Sequence, residues 1–435
     1  MNQFAMPKKI KLQNELYVNN KISFALNIFW LGFIIYTSIY TFFLAPSINI
    51  VFWNKIQMGA LALMIISTFS LIRFRVENSY LGFVFFLYMV WNLLTIARGF
   101  QMNYQFIYLS LVDGWFGILI YLLPVILLFP QNIFYLRKVF SVIVIMSIIF
   151  LALCIYFRHD LMEISDEEVT NKYLMEYFSR NLSVPTGFLL ISYIYHSKKR
   201  MILAFTVVAI TLVLAILRAR RAIIIMEISY LLGFYFVYLY ISKARVRSLI
   251  ISFFLVALLV FTGTQLYDKY KYSFFANITE RADEDTRTGV EVCLYNDLTT
   301  KDWIIGKGMS GRYYCPGIDK GVLTDYRGMI ETDYLNIILK GGLVSLGLLL
   351  LITIPAVIKG IFYSKNLLSK AAGIWILMWL TNLYPTVVDT FSMHYALMWI
   401  CVGICYSREI RNMTEGKVMT MLSTNNKYIK LSTEN

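Results

Sequence analysis

Charge is what this chain has least of. Only 15% of its 435 residues are Asp, Glu, Lys or Arg, and three are histidines. No His/Cys cluster has zinc spacing, no G-x-S-x-G elbow is present, and no Walker loop appears, so zinc hydrolysis, serine-esterase chemistry and P-loop nucleotide binding have no carrier. Internal repeats and low-complexity tracts are also missing. The apolar runs are continuous rather than alternating, which argues against a membrane β-barrel. No cleavable signal peptide is expected, because the first apolar run, 22–44, is too long and follows a basic tail.

What is abundant is apolar sequence: 58% of residues are hydrophobic, in runs near the roughly 20 residues that a spanning helix needs. The predicted class is an all-α polytopic membrane protein of about 12 transmembrane helices. The spans fall at about 22–44, 50–72, 79–97, 114–129, 139–157, 182–195, 201–217, 222–241, 248–262, 335–355, 371–384 and 395–406. The organisation is then a tail (1–21), nine spans (22–262), a large loop (263–334), three spans (335–406) and a second tail (407–435).

Orientation follows from the loops. Alternate segments, from the Lys8/Lys9/Lys11/Lys21 tail to the 407–435 tail, hold 22 Lys/Arg against 5 Asp/Glu, and the other segments hold 17 against 20. The positive-inside rule then puts both termini in the cytoplasm and the large loop outside. The overall charge of +14 is topological and gives no argument for nucleic acid.

One stretch breaks the pattern. In LAILRARRAIIIMEI, Arg218, Arg220 and Arg221 crowd an outside turn, although an arginine at a lipid-facing helix centre costs roughly 2.5–3.5 kcal/mol. The guanidinium fork suits bidentate phosphate binding; headgroup snorkelling is the plainer alternative. Glu227 follows Arg220 by seven residues, almost two turns and about 10.5 Å on one face, and is a candidate internal counter-charge.

The 263–334 loop is long enough to expect function. Gly306-x-Gly308-x-x-Gly311 lacks a βαβ setting and reads as a tight turn with exposed backbone. Asp283-Glu284-Asp285 is a D-x-D with little to recommend it as a metal site. Cys293 and Cys315 are both outside, where a disulfide is permitted. Segment 158–181 holds a Ser165-x-x-Glu168 capping pattern before VTNKYLMEYF, expected as a short amphipathic helix. In ETDYLNIILKGGLVSLG, Asp333, Asn336 and Lys340 form a polar stripe that should face an interior or a wet cavity. Gly341 and Ser345 permit close helix packing. Asp389 and His394 are weaker signals in the last outside loop.

Taken together, the outer arginine cluster, the late large loop with Arg287, IIGKG, and ETDYLNIILKGGLVSLG entering the next span resemble the O-antigen ligase and polymerase superfamily, especially Wzy-type polysaccharide polymerases. Ligases of that family usually show a His-Asn pair before Tyr-Leu. Glu331-Thr332 stand there in this chain, before Asp333-Tyr334-Leu335, and look like many polymerases; Gly342 matches the later glycine. The resemblance implies a bacterial inner-membrane enzyme that joins undecaprenyl-diphosphate-linked oligosaccharides at the outer face, without metal or cofactor. A chain-length regulator, a flippase and membrane lipids would be its partners. On this reading Arg218, Arg220, Arg221 and Arg287 bind the departing diphosphate, with Arg221 and Arg287 acting in catalysis. Glu331 serves as general base, made more basic by partial burial at the helix mouth. Asp333, Tyr334 and Asn336 contact substrate. A ligase is the alternative within this chemistry, and a lipid-oligosaccharide flippase is the alternative from another class.

Overall fold

The computed structural model describes residues 8–41, 50–74, 76–162, 169–242, 245–270, 279, 287–317 and 325–423. Asp283-Glu284-Asp285, Ser165 and Glu168 lie outside the described residues. The rest is helical, apart from one two-stranded antiparallel ribbon that pairs Tyr313 with Arg327 and Tyr314 with Tyr326. Among the described residues, seven helices are long and apolar enough to cross a membrane: Asn20–Thr41, Val51–Leu71, Ser79–Gly99, Tyr135–Tyr156, Lys198–Leu217, Arg221–Ile241 and Asp333–Phe362. They leave large side chains such as Phe69, Phe83 and Phe236 exposed, as a lipid-facing surface requires.

Two of the expected spans are not single helices. Segment 114–129 begins as an Asx turn, in which Asp113 Oδ1 accepts from the Trp115 and Phe116 amides at 2.8 and 3.1 Å. It continues as a four-residue helix (Leu119–Leu122) and a 3₁₀ helix (Leu123–Leu128). Segment 182–195 lies within a run of a π-helical turn (Ser179–Ser183), a 3₁₀ turn (Val184–Thr186), a short α-helix (Gly187–Ile191) and another 3₁₀ turn (Tyr193–Tyr195). Pro124 and Pro185 stand inside these runs. Each removes an amide donor and crowds the preceding turn, so a regular α-helix cannot continue through it. The last two apolar helices, Leu367–Asn382 and Met393–Tyr406, have 16 and 14 residues, about 24 and 21 Å at 1.5 Å per residue.

Every residue of Met393–Tyr406 is buried. A helix that is apolar all round belongs at the centre of a bundle. Trp375, Trp379, Tyr395 and Trp399 are among the largest fully buried side chains around it.

The 30-residue helix Asp333–Phe362 is broken at Gly342, whose φ of +71° and ψ of −177° lie in a region that essentially only glycine enters. The break sits nine residues, about 14 Å, from the Asp333 end. The Gly306–Gly311 turn fits into it. Lys307 and Gly308 donate their amides to the Leu339 and Lys340 carbonyls at 2.8 and 2.9 Å, and Trp91 Nε1 donates to Gly341 at 2.8 Å. Three carbonyls left without helical partners are thereby satisfied. Gly306 and Gly308 also have positive φ, +72° and +83°, so the tight-turn reading of the triplet holds. Met309 donates to Thr95 O at 3.0 Å and Ser310 to Gly99 O at 2.8 Å, which ties the turn to helix Ser79–Gly99.

The described part of the large loop is an ordered cap. Helices Thr288–Asp297 and Thr300–Ile305 and the ribbon enclose a small core of Val290, Leu294, Leu298, Tyr313 and Ile330 against Leu335, Ile338 and Leu339. Cys293 and Cys315 are joined as a disulfide. A Cβ on Gly342 would lie 2.1 Å from the Ile304 carbonyl oxygen. Gly342→Ala should therefore destabilise the chain by at least the roughly 1–3 kcal/mol of a strained backbone conformation. Thermal unfolding of the purified protein checks this; an unchanged midpoint would mean that the break is not held as described.

Candidate functional site

Four segments far apart in sequence, around Gly114, Arg180, Arg287 and Asp333, meet on the loop 383–392, which joins the two short central helices. Asp333, the first residue of the broken helix, is fully buried. Its Oδ2 accepts from the amides of Val388 and Asp389 at 2.8 and 2.7 Å, and its own amide donates to Leu383 O at 2.9 Å. A carboxylate that accepts two backbone N–H groups is a strong clamp. The same loop offers carbonyls to two arginines: Arg180 Nη1 donates to Val387 O, and Arg287 Nη2 donates to Pro385 O at 2.6 Å. On the loop's far side, Phe391 N donates to Gly114 O at 2.7 Å.

Arg180 is 7% exposed and lies in the π-helical turn. Such turns are rare and often sit at functional positions. Its guanidinium is ion-paired with Glu176 one turn earlier and stacks over the Trp115 ring at 5.1 Å. Glu176 also pairs with Arg220 at 3.0 Å. Hydrogen bonds and ion pairs thus connect Arg220, Glu176, Arg180, the 385–389 backbone, Asp333, Arg287 and Glu331 in one continuous network.

The turn between helices Lys198–Leu217 and Arg221–Ile241 is three residues long, and Ala219 takes a left-handed φ of +51° to close it. That reversal turns Arg218 inward. Arg218 is 3% exposed, and its Nε and Nη2 donate to the carbonyls of Leu161 and Asp160 at 3.0 and 2.6 Å. It braces the end of the Arg158–Met162 helix. Arg220 faces Glu176, and Arg221 is exposed at the start of its helix.

Glu331 lies 3.6 Å from Arg287, with side chains 56% and 34% exposed. The burial that the sequence reading required of Glu331 is not there: the residue stands at the rim, in solvent, and the enclosed carboxyls are its neighbours Asp333 and Asp389. Tyr334 stacks on Tyr384 with ring centroids 6.5 Å apart. Glu227 is buried in its helix without a hydrogen bond to either carboxylate oxygen. The counter-charge expected from Glu227 is supplied by Glu176 instead.

The stripe of Asn336 and Lys340 opens on a cavity of about 30 Å³, which Trp115, Tyr88, Tyr395 and Asp389 also line. Lys340 Nζ donates to Gly311 O at 2.8 Å. Burial pushes the Asp389 carboxyl well above the usual carboxylate range, and the adjacent Asp333 charge adds to the shift. Trp115 connects the two halves of the site, since one ring lies under Arg180 and also forms part of the cavity wall.

Sequence reasoning passed over Arg180, Glu176 and Trp115. The signal was an i,i+4 acid–base pair followed by the polar run Ser179-Arg180-Asn181. The expected sixth span began at 182, so Glu176 and Arg180 fell in the outside segment 158–181, while Trp115 was one apolar residue of the expected span 114–129. No protein-family model, curated protein or solved structure matches this chain. The class therefore rests on its own features: a helical protein with seven helices suited to a bilayer and a buried charge network at one end of its bundle.

Glu176 is shared by Arg180 and Arg220. Glu176→Gln leaves two poorly solvated guanidinium groups facing a neutral amide. Removing one partner of a buried pair costs roughly 3–5 kcal/mol, and this variant should lose most of that in thermal unfolding. A loss no larger than that of an exposed control such as Glu409→Gln would count against the bridging role.

Proposed function

We propose that this chain polymerises lipid-diphosphate-linked oligosaccharide repeat units by glycosyl transfer at the outer face of a bacterial inner membrane. In this reading the chain crosses the bilayer twelve times, with both termini cytoplasmic. Helix Arg245–Tyr270, the two broken segments and the two short helices complete the count. The large loop is then extracytoplasmic.

The observation that carries the proposal is the single network from Arg220 to Glu331. Arg180 of the π-helical turn and Arg287 of the large-loop cap converge on one loop beside a polar cavity, and Arg220 of the 218–221 turn joins them through Glu176. Phosphate-linked leaving groups need positive charge where the bond breaks, and preorganised guanidinium groups in a water-poor site supply it. Beside the 218–221 turn, Glu176 pairs with both Arg180 and Arg220. Arg287 and Arg221 have the exposure to meet a lipid diphosphate. Arg180, Arg218 and Arg220 hold the surrounding backbone and carboxylate in place. Glu331 then orients Arg287 at the rim. The stacked Tyr334 and Tyr384 offer a face for a sugar ring.

The break at Gly342 favours a second reading. Discontinuous helices bind substrates in many transporters, so a lipid-oligosaccharide flippase is the competing class. A strain without a polymerase would still display single repeat units on its surface, whereas a strain without a flippase would retain them on the cytoplasmic side. A ligase would transfer finished glycan without producing a ladder.

Reconstitution of the chain with an undecaprenyl-diphosphate oligosaccharide should give a product ladder and free lipid diphosphate. Arg287→Ala should lower turnover by about 10²-fold or more, the loss typical of one transition-state donor. Lys at this position should restore only part of it, because it lacks the planar fork. Full-length product from Arg287→Ala at the normal rate would remove Arg287 from the chemistry.

A further inference from the structure

The cavity beside the arginine network is unusual for its unused acceptors. Among the described residues, nothing donates to the buried Asp389 Oδ1 or Asn336 Oδ1; both residues line the cavity, and the Tyr395 hydroxyl also acts on the Asp389 carboxyl. Asn336 is 8% exposed. Its amide nitrogen is turned toward Asp333 Oδ1, at 3.4 Å, so the oxygen is the end left over. Unsatisfied acceptors cost free energy unless something donates to them. At roughly 10–15 Å³ per water, 30 Å³ holds about two. It therefore takes water or a hydroxyl-bearing arm, and is too small for a whole sugar ring.

Apolar ligands do not suit this wall. Its polar groups include two acceptor oxygens, the Lys340 ammonium, the Asn92 amide, the Trp115 indole N–H and the hydroxyls of Tyr88, Tyr121, Tyr395 and Ser345. Hydroxyl groups, which donate and accept at once, match that mixture. Asp389 is held firmly: its amide is fixed by Asp333 Oδ2, and its loop by Arg180, Arg287 and Gly114. Its carboxyl is thus presented on a rigid support, one tryptophan away from the guanidinium of Arg180.

We propose that this cavity receives the attacking hydroxyl of the acceptor sugar, with Asp389 as the catalytic proton acceptor and Asn336 as the residue that orients the hydroxyl. This rests on the glycosyl-transfer reading above, and moves the base from the exposed Glu331 to an enclosed carboxyl. In the step, the hydroxyl oxygen bonds to the anomeric carbon of the donor, and the bond from that carbon to the phosphate oxygen breaks. The lipid diphosphate leaves with the electron pair, and the hydroxyl proton passes to Asp389 Oδ1. The raised basicity of a carboxyl enclosed beside Asp333 suits it to take that proton. Donor recognition stays with the arginines, on the other side of Trp115.

The test uses the full-length chain in liposomes with an undecaprenyl-diphosphate oligosaccharide, following release of free lipid diphosphate. If the wild-type chain releases none, the glycosyl-transfer reading fails and this assignment falls with it. If the wild-type chain turns over, Asp389→Asn should be slower by about 10²-fold or more, with its donor KM within threefold of wild type. Asp389→Ala should be equally slow and should regain about tenfold in rate with added formate, which a merely structural loss would not do. Asn336→Ala should raise the acceptor KM about tenfold and leave kcat nearly unchanged. Glu331→Gln should alter donor KM more than kcat. Turnover of Asp389→Asn above a tenth of wild type would overturn the proposal. So would a folded Asp389→Ala that formate does not rescue. Should both Asp389 variants fail to fold, an unchanged acceptor KM in Asn336→Ala overturns it instead.

Discussion

The clamp between Asp333 and the backbone of Val388 and Asp389 holds this end of the molecule together. Loop 383–392 has no regular secondary structure, so its amides and carbonyls need partners from elsewhere. Asp333 takes two amides, Arg180 and Arg287 take two carbonyls, and the Asp113–Gly117 turn takes a further amide through Gly114. Charged groups that would be costly if left alone in a bundle are each set against backbone dipoles or an opposite charge. The result is a rigid irregular loop at the junction of two central helices. Rigidity of this kind keeps a reacting group within a fraction of an ångström of where it must act.

Irregular helices do the complementary work. The π-helical turn at Ser179–Ser183 carries Arg180 into the bundle. The break at Gly342 exposes carbonyls on which the large-loop cap docks, through Lys307 and Gly308. Regular helices could have carried the same side chains, but could not have opened a seat for the cap. The cap in turn places Arg287 over Pro385 and beside Glu331. Sites built where helices break recur in membrane proteins because freed backbone groups must be satisfied by protein or ligand once lipid surrounds the rest.

The two ends of the bundle differ in character. Away from the arginine network, Asn366 Nδ2 donates to the carbonyls of Ile410 and Met413 at 2.7 and 3.2 Å, and Glu415 accepts from Leu367 N at 2.8 Å and from the Tyr195 hydroxyl. Side chains there cap and lace helix ends. At the arginine end, buried acceptors at Asp389 and Asn336 are left over.

The sequence by itself settled the helical class, the apolar helices, the polar stripe of Asp333, Asn336 and Lys340, and the singularity of the 218–221 arginines. Those features are local: they depend on composition, helical period and the cost of charge in an apolar run, all of which act within about twenty residues. It also marked Arg287 and Glu331 from a short motif. Only the tertiary structure decided that Arg218 turns inward to brace backbone, that Glu176 rather than Glu227 answers the arginines, and that Glu331 stands in solvent while Asp389 is enclosed. Burial and pairing are properties of what packs against a residue. Here the packing partners come from positions as distant as 113, 180, 287 and 389, and no periodicity along the chain carries that information.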